Sequence, residues 1–285
     1  MLRQIRFELF KMSRRPRTYI GCAAFLAMNF LLVLGIRYGG IGGMIAHQAS
    51  AQGFEMIGSP ANAEFMAWMV VGSPMSGPIL MMFMPFFVCL IFGEIFGGES
   101  AEGTLRTVLT RPIGRSSFFT AKFAASLIYA LGLVLFLGVS AYVTGLIAFG
   151  RGGLVAAGTF RRPMLTYYPE WTGMVRLALA YGVTFVGVVT VGMVALFVSS
   201  WLNSALGAIG GAIGLLFAMV IIGEIPYFAP IRDYLFSTHL FAGQNAFLDP
   251  IPWNEIRLAL TCLGTYIGVL FLVSMLIFRR KDVLA

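Results

Sequence analysis

From position 18 onward the chain is a succession of apolar stretches about twenty residues or longer, divided by short polar connections. Residues 18–36, 75–96, 118–149, 171–198, 205–223 and 256–278 form six such stretches. A helix crosses the hydrocarbon core with about 20 mostly apolar residues, because its backbone groups must be satisfied internally. Hydrophobic residues make up 59% of the chain and charged residues 11%. A water-exposed surface could not accommodate that balance. The expected fold is an all-α integral membrane protein, one transmembrane domain over residues 1–285, with six spans.

The net charge of +8 would suggest nucleic acid in a soluble protein. Here the Lys and Arg cluster at the ends of apolar stretches, so topology accounts for them and no nucleic-acid partner is expected. Residues 1–17, the connection after the second span and the C-terminus carry most of them. The positive-inside rule places all three in the cytoplasm, N-in and C-in. Arg151, Arg161 and Arg162, on the opposite side, run against this tally.

In residues 1–17, Leu2, Ile5, Leu9 and Met12 fall on one helical face. Arg3, Arg6, Lys11, Arg14 and Arg15 are left for lipid headgroups, which predicts an interfacial helix ended by Pro16. Arg14-Arg15 and Ala49-Ser50-Ala51 echo a cleaved leader, but the intervening stretch is long enough to span and reads as a retained anchor. Residues 37–74 and 150–170 read as loops. Residues 224–253, interrupted by proline, read as short outer interfacial or re-entrant helices.

Catalytic chemistry finds little footing. His47 and His239 stand alone in predicted loops, and no HExxH, GxSxG or phosphate-binding glycine loop occurs. Cys22, Cys89 and Cys262 are far apart and read as packing thiols. Met81, Met82 and Met84 beside Cys89 read as gap-fillers rather than soft-metal ligands. No catalytic, cofactor or metal residue is assigned. Glu94, Lys122, Arg176, Glu224 and Arg257 fall near span ends, where they are expected to snorkel or meet water. Gly207, Gly210, Gly211, Gly214, Gly264 and Gly268 permit close helix approach, within the chain or between two copies.

The most informative connection is residues 94–117, which leaves the membrane and returns within about twenty residues. Ala101, Leu105, Val108 and Leu109 share one helical face, Glu99, Glu102 and Arg106 point elsewhere, and Pro112 stops the helix. Such a helix suits a groove on a soluble partner or the lipid surface equally well.

Glu99-x-x-Glu102-Gly103-Thr104-Leu105, followed by Leu109-Thr110-Arg111-Pro112-x-x-Arg115, resembles the cytoplasmic loop of ABC transporter permeases of the type-2 exporter family. Lys122 at the start of the third span and the ending Phe278-Arg279-Arg280-Lys281-Asp282-Val283 are also similar to that family. The overall pattern resembles its permeases associated with multicopper-enzyme maturation and its drug or lipid exporters. The resemblance covers nearly the whole chain. It implies a multi-pass subunit of a prokaryotic inner membrane, paired with a second permease as a homodimer. Two separate ATPase subunits would dock beneath and carry ATP and Mg. Glu99, Glu102, Thr104, Leu105, Arg106, Leu109, Arg111, Pro112 and Arg115 would then couple ATPase to spans. The alternative from residues alone is a membrane scaffold, passive channel or membrane enzyme without an ATPase.

Overall fold

The computed structural model describes residues 2–40, 43, 61–73, 77–101, 114–159, 162–202 and 204–280. It is a mostly helical membrane protein. Helix α1 (Leu2–Ser13) precedes α2 (Arg17–Tyr38), with Pro16 at the junction where its fixed φ suits a helix start. Then come α3 (Ala63–Val71), α4 (Gly77–Ala101) and α5 (Arg115–Phe149). A hairpin of β1 (Leu154–Thr159) and β2 (Arg162–Tyr168) leads to α6 (Glu170–Trp201) and α7 (Ala205–Glu224). Two 3-10 turns, Pro226–Tyr234 and Ala242–Phe247, flank the short α8 (Phe236–His239), and α9 (Trp253–Arg280) closes the described chain.

Among the described residues, five helices, α2, α5, α6, α7 and α9, are long and apolar enough to cross a membrane. In α4 the described apolar stretch is Phe83–Gly98. Helix α5, at 35 residues, is about 52 Å long and must tilt or project beyond a core of about 30 Å. Helix α6 is the centre. It has 72% of its apolar window buried, against 22% for α2, 17% for α7 and 11% for α9. Helices α4, α7 and α9 pack on it. Lipid is as apolar as these side chains, so close packing rather than water exclusion holds the helices together. Phe25, Phe87 and Leu133 meet where α2, α4 and α5 come together, while Val88 and Phe92 face Gly192 of α6. Asn29 adds a buried polar tie, donating to Ser140 Oγ at 2.9 Å.

Two regions differ from the sequence expectation. Residues 37–74, read as a loop, contain α3, whose residues are all buried. Asn62 caps it by accepting from Phe65 N–H at 2.8 Å. Residues 150–170, also read as a loop, contain a short antiparallel hairpin beside the otherwise helical fold. Leu154 and Ala156 alternate inward, pairing across the ladder with Tyr168 and Thr166.

Together α3, the hairpin and the second 3-10 turn cap one end of the bundle. Arg176 organises this cap. Its guanidinium donates to the carbonyls of Ala246 at 3.0 Å and Leu248 at 2.7 Å and lies 4.3 Å over the Tyr168 ring. The Tyr168 hydroxyl donates to the Phe247 carbonyl at 2.9 Å. Burial pushes the Tyr168 phenol above its ordinary range, partly offset by the Arg176 charge. Beneath the hairpin, buried Glu64 accepts from Tyr142 Oη at 3.4 Å and from Gly152 N–H at 3.3 Å.

The glycines divide. A Cβ at Gly207 or Gly211 would meet Leu202 or Val198 within 3.2 Å. At Gly210, Gly214, Gly264 and Gly268 it would meet nothing within 4 Å, so among the described residues these four do not serve packing within the chain.

Candidate functional site

At the end of the bundle opposite the cap, α1 lies along α5. Its inner side presents Gln4, which accepts from Ser117 Oγ at 3.3 Å, and Glu8, which faces Lys122. Lys122 was expected to snorkel or meet water, but its side chain is only 1% exposed. The correction has a physical cause: the ammonium finds partners inside. Its Nζ lies 3.4 Å from Glu8 Oε2 and 3.3 Å from the Ile95 carbonyl. The rings of Phe118 and Phe96 stand 4.9 and 5.7 Å away, close enough for cation–π attraction.

Glu94, on α4, is likewise buried. It pairs with Arg15 at 3.4 Å and with Arg17. Thus the turn between α1 and α2 is held to α4 by charge. Thr18 Oγ1 donates to the Met12 carbonyl at 2.6 Å and fixes that turn. Glu8, Lys11, Arg15, Glu94 and Lys122 surround a cavity of about 30 Å³, room for about one water beside the charges. Behind it, Phe96 stacks on Phe119 at 5.2 Å and meets Phe278 of α9 at 4.8 Å.

Arg115 opens α5 and donates to the Arg279 carbonyl at 2.9 Å. That carbonyl belongs to the last described turn of α9. The 94–115 segment is therefore rooted at both ends: Glu94 is tied to Arg15 and Arg17, and Arg115 to α9.

Of the residues expected to couple to an ATPase, Arg115 is placed here and Glu99 falls in the last turn of α4. Glu102, Thr104, Leu105, Arg106, Leu109, Arg111 and Pro112 lie outside the described residues. Of the interfacial set, Arg3, Arg6 and Arg14 are exposed, Lys11 lines the cavity and Arg15 binds Glu94. Leu2, Phe7 and Phe10 are exposed beside those arginines, while Ile5, Leu9 and Met12 are half-buried. The face expected to meet lipid thus lies partly against protein.

The other charges divide similarly. Arg176 is bound in the cap, whereas Glu224 and Arg257 are exposed, near Arg232 and Asn254 respectively. Cys89 is buried, but Cys22 and Cys262 are only half-buried; all three thiols are free. Met84 is buried. His239 places Nε2 2.7 Å from the Asp233 carbonyl, and His47 lies outside the described residues. Among the described residues no group of three or more His, Cys, Asp or Glu is arranged to hold a metal ion. What the α1 end offers is a set of charged ties between α1, α2, α4, α5 and α9, suited to passing displacement between them.

A family described as a protein of unknown function (DUF2705) matches residues 41–284. The chain belongs to the DUF2705 family. The match runs from before α3 to the end of α9, so the cap, helices α3 to α9 and the 94–115 segment lie within it, and α1 and α2 precede it. Within the curated proteins the chain is similar to the uncharacterized protein YhcI of Bacillus subtilis (strain 168). Identity is 25% over 229 residues, covering 79% of this chain and 71% of that protein.

Proposed function

We propose that the chain is the permease subunit of an ATP-driven exporter, spanning the membrane six times and working as a homodimer above two separate ATPase subunits. The α1 end faces the cytoplasm, the sixth span is α4, and the outer cap with residues 224–253 lies at the exit. The chain performs no hydrolysis itself. ATP and Mg are held by the partner, whose closure pushes on the 94–115 loop.

The observation that carries this reading is the double rooting of that loop, through Glu94 to α1 and α2 and through Arg115 to α9. A push on a segment so anchored is delivered to several helices at once, as ATP-driven rearrangement requires. The same ties bring α1, both loop roots and the end of α9 to one end of the bundle, which supports an even number of spans between them. The resemblance of 99–115 to type-2 exporter permeases supplies the partner. Gly210, Gly214, Gly264 and Gly268, open on the outside of α7 and α9, suit a second permease.

Within the loop, Leu105 and Leu109 fill an apolar notch on the ATPase, with Glu102 and Arg106 at its rim. Burying a leucine contributes roughly 1.5–3 kcal/mol, and an exposed rim pair about 0–1 kcal/mol. Copurification of the ATPase with the tagged chain tests this. Leu105→Asp should lose the ATPase and Arg106→Ala should keep most of it. If Leu105→Asp inserts normally and still copurifies in full, the loop is a lipid-surface element.

A further inference from the structure

In α4 one hydroxyl from a neighbouring helix bonds to both of two backbone groups that an α-helix pairs with each other. The Gly97 amide donates to Ser199 Oγ at 2.8 Å, and Ser199 Oγ donates to the Gly93 carbonyl at 2.7 Å. Residues 93 and 97 are four apart, the spacing of the helical ladder. Ser199 belongs to the last turns of α6 and is fully buried. A side chain set into the ladder is one of the recognised causes of a helix bend.

The glycines make room for the arrangement. A Cβ at Gly93 would come within 2.9 Å of Ile209, and one at Gly97 within 3.0 Å of the backbone of Ser204 and Ala205. The bare side of α4 therefore rests on the corner between α6 and α7. Glu94, between the two glycines, is held by Arg15 and Arg17.

We propose that Ser199 is a hinge pin: its hydroxyl partners Gly93 and Gly97 whenever the ladder between them opens, so α4 can pivot at Gly93–Gly97. With both backbone groups satisfied in the open form, the usual cost of breaking a buried helical bond is largely removed. The segment beyond Gly97, which leads into the 94–115 loop, swings about this point while the rest of α4 stays packed on α6. That the swing serves transport rests on the permease reading above; the hinge itself does not.

Hydrogen–deuterium exchange of the full chain in lipid nanodiscs, without nucleotide or ATPase, tests it through peptides covering residues 95–101. In Ser199→Ala the Gly97 amide has only the Gly93 carbonyl for a partner, the open form loses its support, and exchange should slow about five-fold. Ser199→Cys, a weaker hydrogen-bonding group of similar shape, should move in the same direction, and Ser199→Thr should restore the wild-type rate. If Ser199 is a static tie between α4 and α6, Ser199→Ala loosens the contact and exchange rises. A rise, or no change in both the Ala and Cys variants, overturns the hinge. Failure of the ATPase to copurify while exchange slows as stated would overturn the permease reading and leave the hinge standing.

Discussion

Lys122 and Glu8, 114 positions apart in the chain, meet at 3.4 Å across the contact between α5 and α1. The relationship gives α1 a second role. It places its exposed arginines and phenylalanines outward, and its carboxylate inward as partner to a buried ammonium. Taking one partner from a buried pair costs about 3–5 kcal/mol, whereas replacing both with apolar groups is often close to neutral. Glu8→Ala should therefore lower the melting temperature of the detergent-solubilised protein clearly. The double variant Glu8→Leu/Lys122→Met should melt near the wild type. Equal melting of Glu8→Ala and wild type would mean that the pair contributes nothing to folding.

The cap around Arg176 gives a second prediction. Arg176 supplies donors to the Ala246 and Leu248 carbonyls, and each unsatisfied buried acceptor costs about 1–3 kcal/mol. Arg176→Ala should destabilise the cap by about 2–6 kcal/mol, read as accelerated proteolysis within residues 242–253 or a lowered melting temperature. Tyr168 adds a pH dependence. Its phenol is raised above the ordinary value by burial, so its contribution is fully present below about pH 10 and is lost as pH rises through the folded value. Alkaline loss of stability should be shallower in Tyr168→Phe than in the wild type. Identical pH slopes would remove Tyr168 from the account.

Topology is a third. Reporters fused after Lys281 and at Gly103 should read cytoplasmic, and those at Ala51 and Gly243 external. An external reading at Gly103 would exclude any contact between the loop and a cytoplasmic ATPase.

The apolar stretches were plain in the sequence because a membrane helix must be apolar along its whole length, whatever it packs against. Hence 205–223 and 256–278 lie close to α7 and α9 as observed. Helix α3 was not read because its nine residues are too few for a span and Glu64 interrupts the run. The Asn62 cap before Phe65 was the available signal. The hairpin was hidden for another reason: small Ala156 serves as an inward residue, so the alternation carries little hydrophobic contrast. At the α1 end, Glu94 and Lys122 were visible as span-end charges, but their partners were not. Glu8 and Arg15 reach them through the packing of α1, which no local pattern encodes.

In the permease reading, force that enters at the 94–115 loop reaches α1 and α2 through Glu94. The most direct measurement is ATP hydrolysis by the copurifying ATPase, alone and with the chain in nanodiscs, for wild type and Glu94→Gln. The amide keeps the shape of Glu94 but gives up the charge that holds Arg15 and Arg17. The account predicts that Glu94→Gln still binds the ATPase through the loop but no longer alters its turnover as the wild-type chain does. Full wild-type stimulation by Glu94→Gln, with the ATPase bound, would contradict it.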